Sequence, residues 1–383
     1  MRKLQALKRA WQGMRAFTSL PPEQRSIVFY SENSGSWPHL GPIVNSLATD
    51  HNLPVTYLTS SLSDWILVDP PRGVSPYFIG DGHLRTWLFN SLKARILVMT
   101  MPDLDSFHIK RSVYPVHYVY THHSIVSTHM IYREGAFDHF DTVFCVGPHH
   151  EREIRATEKQ YNLSEKTLLQ HGYPRLDTII REATCESTSP DDAMDRILVA
   201  PSWGSHGLLE TCGEAFVGHL LEAFFHVTVR PHPMSRNLNG PTLDRLRTAF
   251  AKHPNFSYEE DVTSTESFRT SDLMVSDWSG AALEYAFGRE RPVLFVDVPR
   301  KVNNPHWQDI EIEPIEASIR SDIGAVLPLE HLADAPAFVR NLLDRRNEYR
   351  TRIRAMRETY VFNIGKSAKT AADYLVSIAK MKE

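Results

Sequence analysis

The chain is poor in cysteine: its 383 residues hold three, Cys145, Cys185 and Cys212, all far apart. That spacing excludes a disulfide framework and a paired-cysteine metal site, and it fits a reducing compartment. Hydrophobic length is also lacking. No run of 18 apolar residues occurs, so no segment is expected to span a bilayer, and no signal peptide is visible. Excess charge of one sign is missing too: a net charge of −4 and a pI near 6.6 argue against a general nucleic-acid binder. There is no internal repeat and no low-complexity tract.

What remains is 42% hydrophobic, enough for sizeable cores, over a length that favours two domains. Apolar runs of strand length recur at 26–30, 55–59, 95–99, 116–120 and 142–146, and HGYPRLDTI (171–179) ends another short strand. They recur again at 196–200, 227–229, 256–258, 273–275 and 292–296, with helical or loop segments between. Such alternation predicts an α/β protein with doubly wound parallel sheets. A polar, aperiodic stretch at 183–195 reads as the linker. The boundaries that follow are an N-terminal helix at 1–20, a first Rossmann-like domain at 21–182, a second at 196–333, and C-terminal helices at 334–383.

The richest stretch is 271–298, SDLMVSDWSGAALEYAFGRERPVLFVDV. It reads as strand, polar turn, short helix, strand. Ser276, Asp277 and Ser279 suit a helix start, Gly280 opens the backbone, and Leu283, Ala286 and Phe287 share one helical face. Free backbone N–H groups, small hydroxyls and the positive end of a helix dipole converge at such a turn, which suits phosphate. Glu284, one turn in, is placed to accept hydrogen bonds from ribose. An ordinary capped helix in an α/β domain would carry the same residues, so both readings stay open here.

The N-terminus differs from the rest. Arg2, Lys3, Lys8, Arg9 and Arg15 precede the first acidic residue, Glu23, while Leu4, Leu7, Trp11, Met14 and Phe17 fall on one helical face. A basic amphipathic helix of this kind predicts contact with an anionic membrane surface, a helix packed on its own domain being the alternative. Seven arginines between Arg340 and Arg357 outnumber their nearby carboxylates, Asp344 and Glu348, which predicts a second basic face.

Polar loops follow the strands. Gly35 sits in the first, with Trp37 and His39 at its edge; Ser202 lies in PSWGSH, and Arg230 and His232 lie in RPHP. Ligands in such sheets bind at strand carboxyl ends. Arg230 with His232 is a plausible phosphate-neutralising pair. The strand ending near 120 runs into THHS, where His122 and His123 alternate in direction, and a histidine there can take a proton at neutral pH. The two are adjacent and have no cysteine or carboxylate at ligand spacing, so no metal is expected.

Taken together and in order, these motifs resemble the CDP-glycerol glycerophosphotransferases, the family of teichoic-acid primases and polymerases. There, Asp-Tyr-Ser-Ser precedes a short helix carrying an acidic residue, and Lys-Pro opens the next strand. Here the matching residues are Asp277, Trp278, Ser279, Gly280, Glu284 and Arg291-Pro292. YTHHS resembles the family's Trp-His-Gly segment, HGYPRLD its Gly-x-Pro-Arg-x-Asp motif, and RPHP its Arg-x-His segment, so the likeness spans residues 115–300. Two departures stand out: Ser124 replaces a glycine, and Gly280 replaces a serine.

The resemblance implies a GT-B fold, two Rossmann-like domains facing across a cleft. It implies a peripheral enzyme at the cytoplasmic face of the membrane, with a CDP-polyol donor and a lipid-linked glycan acceptor. His123 and His232 are the expected catalytic residues. Substrate contacts are expected at Arg230, Asp277, Ser279, Gly280, Glu284, Ser202, Gly35 and His122. No cofactor and no nucleic-acid partner is expected. A GT-B sugar transferase or epimerase using a nucleotide sugar would use the same turn, and a non-catalytic membrane-associated scaffold is the rival of another class.

Overall fold

Seven parallel strands form the sheet of the first of two units: β1 (Ile27–Ser31), β2 (Val55–Thr59), β3 (Val74–Phe78), β4 (Ile96–Met99), β5 (His117–Thr121), β6 (Thr142–Cys145) and β7 (Thr167–Gln170). The computed structural model describes residues 2–184, 194–261 and 264–380. The sheet order is β3-β2-β1-β4-β5-β6-β7, and Phe29 pairs with Tyr57 on one side and Val98 on the other. Every residue of β1, β2, β4 and β6 is buried, as a parallel sheet covered on both faces requires.

The second unit carries β8 (Arg196–Val199), β9 (His226–Val229), β10 (Phe256–Tyr258), β11 (Leu273–Ser276), β12 (Val293–Val296) and β13 (Gly324–Leu327). These too are parallel, in the order β10-β9-β8-β11-β12-β13. Two strands had no counterpart in the sequence reading, β3 and β13, and both are edges. Pro76 is tolerated in β3 because an edge strand leaves one row of N–H groups unused. Gly324 opens β13 because a Cβ there would overlap the Val293 carbonyl.

The units are not simple halves of the chain. The first comprises 2–123, 132–175 and 361–380; the second comprises 124–131 and the described part of 176–360. Most of the expected linker, 185–193, lies outside the described residues. The C-terminal block also divides. The helix Ser367–Lys380 returns to the first unit, where Ala371, Ala372, Leu375 and Val376 join the core beneath the helix Trp37–Thr49.

The other two expectations concern charged helices. In the helix Arg2–Thr18, Ala10, Met14 and Phe17 are buried against β3, so tightly that a Cβ on Gly13 would overlap the Phe78 carbonyl. Only Leu4, Leu7 and Trp11 stay exposed, at 75%, 54% and 53%, so half of the apolar face is spent inside the unit. The C-terminal arginines are largely neutralised. Glu290, in the left-handed cap position after the helix Gly280–Arg289, receives Arg350 at 3.1 Å, Arg354 at 2.7 Å and Arg357 at 2.8 Å. Glu348 takes Arg345 and Arg352. No described helix is long and apolar enough to cross a membrane.

Candidate active site

In the second unit the loops after β9, β8 and β11 leave the carboxyl ends of three adjacent strands. Ser276 starts the central turn by donating to the Ala200 carbonyl at 2.9 Å, which ties the ends of β11 and β8 together. Ser279 is the N-cap of Gly280–Arg289, and its hydroxyl oxygen accepts from the Ala281 N–H at 3.3 Å. The hydroxyl proton remains able to donate to an anion at the helix start. Glu284 sits one turn in, buried, on the same helix.

Asp277 is turned into the protein. Only 1% exposed, it accepts from the Ser202 N–H at 2.7 Å and the Leu208 N–H at 3.1 Å, and so shapes the loop after β8. The Asp277 carboxylate and the Ser202 backbone N–H, of the two residues expected to contact substrate, are bonded to each other. Arg230 is turned inward as well: its guanidinium donates to Ser267 Oγ at 2.9 Å, lies 3.8 Å from Glu259 and rests over the Phe268 ring. Its guanidinium is thereby held against the helix Glu266–Thr270 and Glu259. His232 Nδ1 accepts from the Met234 N–H at 3.1 Å, which leaves its proton on Nε2 in the neutral ring. Its ring lies 6.0 Å from that of Trp203. Two side chains with no assigned role complete the cluster, Trp203 and Lys301, the ammonium of the second lying 3.8 Å over the ring of the first.

The segment 124–131 belongs to this unit although it directly follows β5. Glu316 holds it, accepting from the Ser127 N–H at 2.8 Å and the Ser127 hydroxyl at 2.6 Å. His129 donates to the Ile312 carbonyl at 2.9 Å. The first residue of the segment packs on the turn, since a Cβ at Gly280 would overlap Ser124 Oγ.

In the first unit His123 is exposed, and its Nδ1 lies 3.1 Å from the Thr100 carbonyl and 3.3 Å from the Tyr120 hydroxyl. A carbonyl only accepts, so Nδ1 carries the proton and the basic lone pair is on Nε2. His39 stands edge-on to His123, with ring centroids 6.2 Å apart, and beside Tyr173 at 5.6 Å. Burial, then the charges of Arg175 and His123, hold its pKa well below 6.5, which keeps it neutral. The Gly35 turn is exposed beside this pair: its N–H donates to Asn33 at 2.9 Å, and Ser36 Oγ lies 3.3 Å from Thr100 Oγ1.

His122 is not a ligand-facing residue. It is 1% exposed, its ring 3.9 Å from that of His150, and burial with His150 and His123 pushes its pKa far down. Just past the end of β5 one histidine turns outward and its neighbour into the core. Among the described residues no group of three or more His, Cys, Asp or Glu is placed to hold a metal ion.

Residues 85–301 match the model of the CDP-glycerol:poly(glycerophosphate) glycerophosphotransferase family. The chain belongs to that family. It is therefore a transferase of the glycerophosphotransferase kind, and the matched region runs from Arg85 through the histidine pair and the 271–298 turn to Lys301. Curated proteins yield no match to the chain. Among solved structures, a Listeria monocytogenes protein assigned as a UDP-N-acetylglucosamine 2-epimerase is similar over 94% of this chain and 97% of its own, at 13% identity and a TM-score of 0.62. A UDP-N-acetylglucosamine 2-epimerase from Rickettsia bellii gives 0.59 at 10% identity, covering 93% and 96%. A Rickettsia africae glycosyltransferase gives 0.52 at 9%, covering 93% and 98%. At such identities the likeness concerns the fold alone, which is GT-B: two parallel-sheet α/β domains.

Proposed function

We propose that the protein transfers a polyol phosphate, most specifically glycerol phosphate, from a CDP-activated donor to a hydroxyl of a membrane-linked glycan or polymer, and releases CMP. The observation that carries this reading is the pairing of family membership with the tautomer of His123. With Nδ1 held by the Thr100 carbonyl, Nε2 is the atom that takes a proton. In the proposed step the acceptor oxygen attacks the β-phosphorus of the donor, its proton passes to His123 Nε2, and the bond from that phosphorus to CMP breaks. Ser279, the Gly280 amide and the His232 Nε2–H would hold the diphosphate, and Glu284 the ribose. Pre-placed donors around a phosphorus supply most of the catalysis in such transfers.

The basic helix Arg2–Thr18, with Leu4, Leu7 and Trp11 exposed, supports work at an anionic membrane surface, on its cytoplasmic face. The sugar-transferase reading rests on the fold, and the fold does not choose a substrate. The deciding experiment incubates the purified protein with a lipid-linked acceptor and CDP-glycerol, CDP-ribitol or a UDP-sugar. CMP from CDP-glycerol is expected; release of nucleotide from the UDP-sugar alone would overturn the reading.

A further inference from the structure

Lys301 is an unusual cation. It has no hydrogen-bond or ion-pair partner among the described residues, yet its ammonium is drawn out of water over the Trp203 ring at 3.8 Å. Its neighbours are otherwise committed: Arg300 pairs with Glu313 at 3.0 Å, and Arg320 with Asp297 at 2.8 Å. Both arginines also flank the Trp278 ring. Arg230, the other cation near these strand ends, is turned onto Ser267 and Glu259. One ammonium is thus left without a direct salt bridge beside Trp203, whose ring also faces His232 with its Nε2 proton.

We infer that Lys301, Trp203 and His232 form a subsite for a phosphate-bearing ligand, in which Lys301 supplies the charge that neutralises a diphosphate. This rests on the reading of the second unit as the nucleotide-donor unit. A partly desolvated ammonium with no carboxylate in direct contact gains when an anion arrives, since the cost of removing it from water has been met in folding. Trp203 holds the lysine in place through cation–π attraction while leaving its three N–H groups to donate. Burial brings the Lys301 pKa down to about 8, although Asp277 and Glu210 oppose the shift. The charge is therefore largely present at neutral pH and is lost as pH rises through about 8 in the absence of an anion. Asp277, Glu210 and the His232 ring are the titratable groups around it.

The test is titration calorimetry of the full chain, its Lys301→Met and its Lys301→Arg variants with CDP-glycerol, a UDP-sugar, inorganic pyrophosphate and uncharged cytidine. Lys301→Met should weaken every diphosphate the wild type binds by roughly 10- to 100-fold, and leave cytidine unchanged. Lys301→Arg should keep diphosphate binding at pH 7 and abolish the wild type's loss of affinity between pH 8 and 10. Equal diphosphate binding by wild type and Lys301→Met would overturn the subsite while leaving the donor reading intact. Binding of the UDP-sugar but not CDP-glycerol, again lost in Lys301→Met, would keep the subsite and overturn the donor reading. No diphosphate binding by the wild type would overturn both.

Discussion

Ser124 occupies the space that a side chain at Gly280 would need: a Cβ built there would overlap Ser124 Oγ and press within 3.3 Å of Val126. The family pattern expects the reverse, glycine after the histidine and serine at the helix start. The two departures are thus one exchange across a contact. Gly280→Ser alone should destabilise the protein by about 1–3 kcal/mol, the range for overpacking, and lower turnover. Adding Ser124→Gly should recover most of both. A double-mutant cycle read by thermal unfolding and CMP release checks this, and strictly additive losses would show that the two positions are independent.

Donor affinity gives a second check. Ser279→Ala and Glu284→Ala should each weaken CDP-glycerol binding by roughly 1–3 kcal/mol. Ser279 also caps a helix, so its variant should melt lower; the calorimetric affinity of the folded protein separates the roles. Unchanged affinity in both variants would remove these residues from the donor site.

The membrane prediction follows from the division of the first helix. Removing residues 2–18 would strip Ala10, Met14 and Phe17 from the core and test folding instead. Changing Leu4, Leu7 and Trp11 together to serine should release the protein from anionic vesicles and leave its melting temperature nearly unchanged. Co-sedimentation equal to wild type would place any anchor elsewhere; the C-terminal arginines, being paired, are poor candidates.

Glu290 gives a prediction in acid. Burial alone would raise its pKa, but hydrogen bonds from Arg354 and Arg350 and the charge of Arg357 outweigh that and lower it to about 2. A carboxyl depressed on folding stabilises fully above its unfolded value, near 4.3, and loses that stabilisation as pH falls toward 2. Glu290→Gln should therefore melt well below wild type at pH 6, with the gap closing between pH 4.5 and 2. A constant gap would mean that packing, not charge, is what the variant lost.

Much of this was legible in the sequence, and the exceptions share a cause. Interior strands announce themselves as apolar runs, and the opposite directions of adjacent residues in an extended chain already separate His123 from His122. The edges β3 and β13 do not, because a half-exposed strand tolerates proline and glycine. Asp277 and Arg230 have residue types that serve equally for ligands and for loops, and only burial and hydrogen-bond partners tell the two apart. Lys301 is the converse: a surface-type residue whose significance comes from a tryptophan distant in sequence. The return of the helix Ser367–Lys380 to the first unit rests on apolar positions that would suit either sheet.

The central claim is that His123 removes the acceptor proton. Single-turnover CMP release from CDP-glycerol, measured with a lipid-linked acceptor beside a donor titration, tests it most directly. The account predicts that His123→Ala slows release by about 10²- to 10⁴-fold, the usual worth of a general base, with donor affinity almost unchanged. Near-normal release by His123→Ala would contradict it.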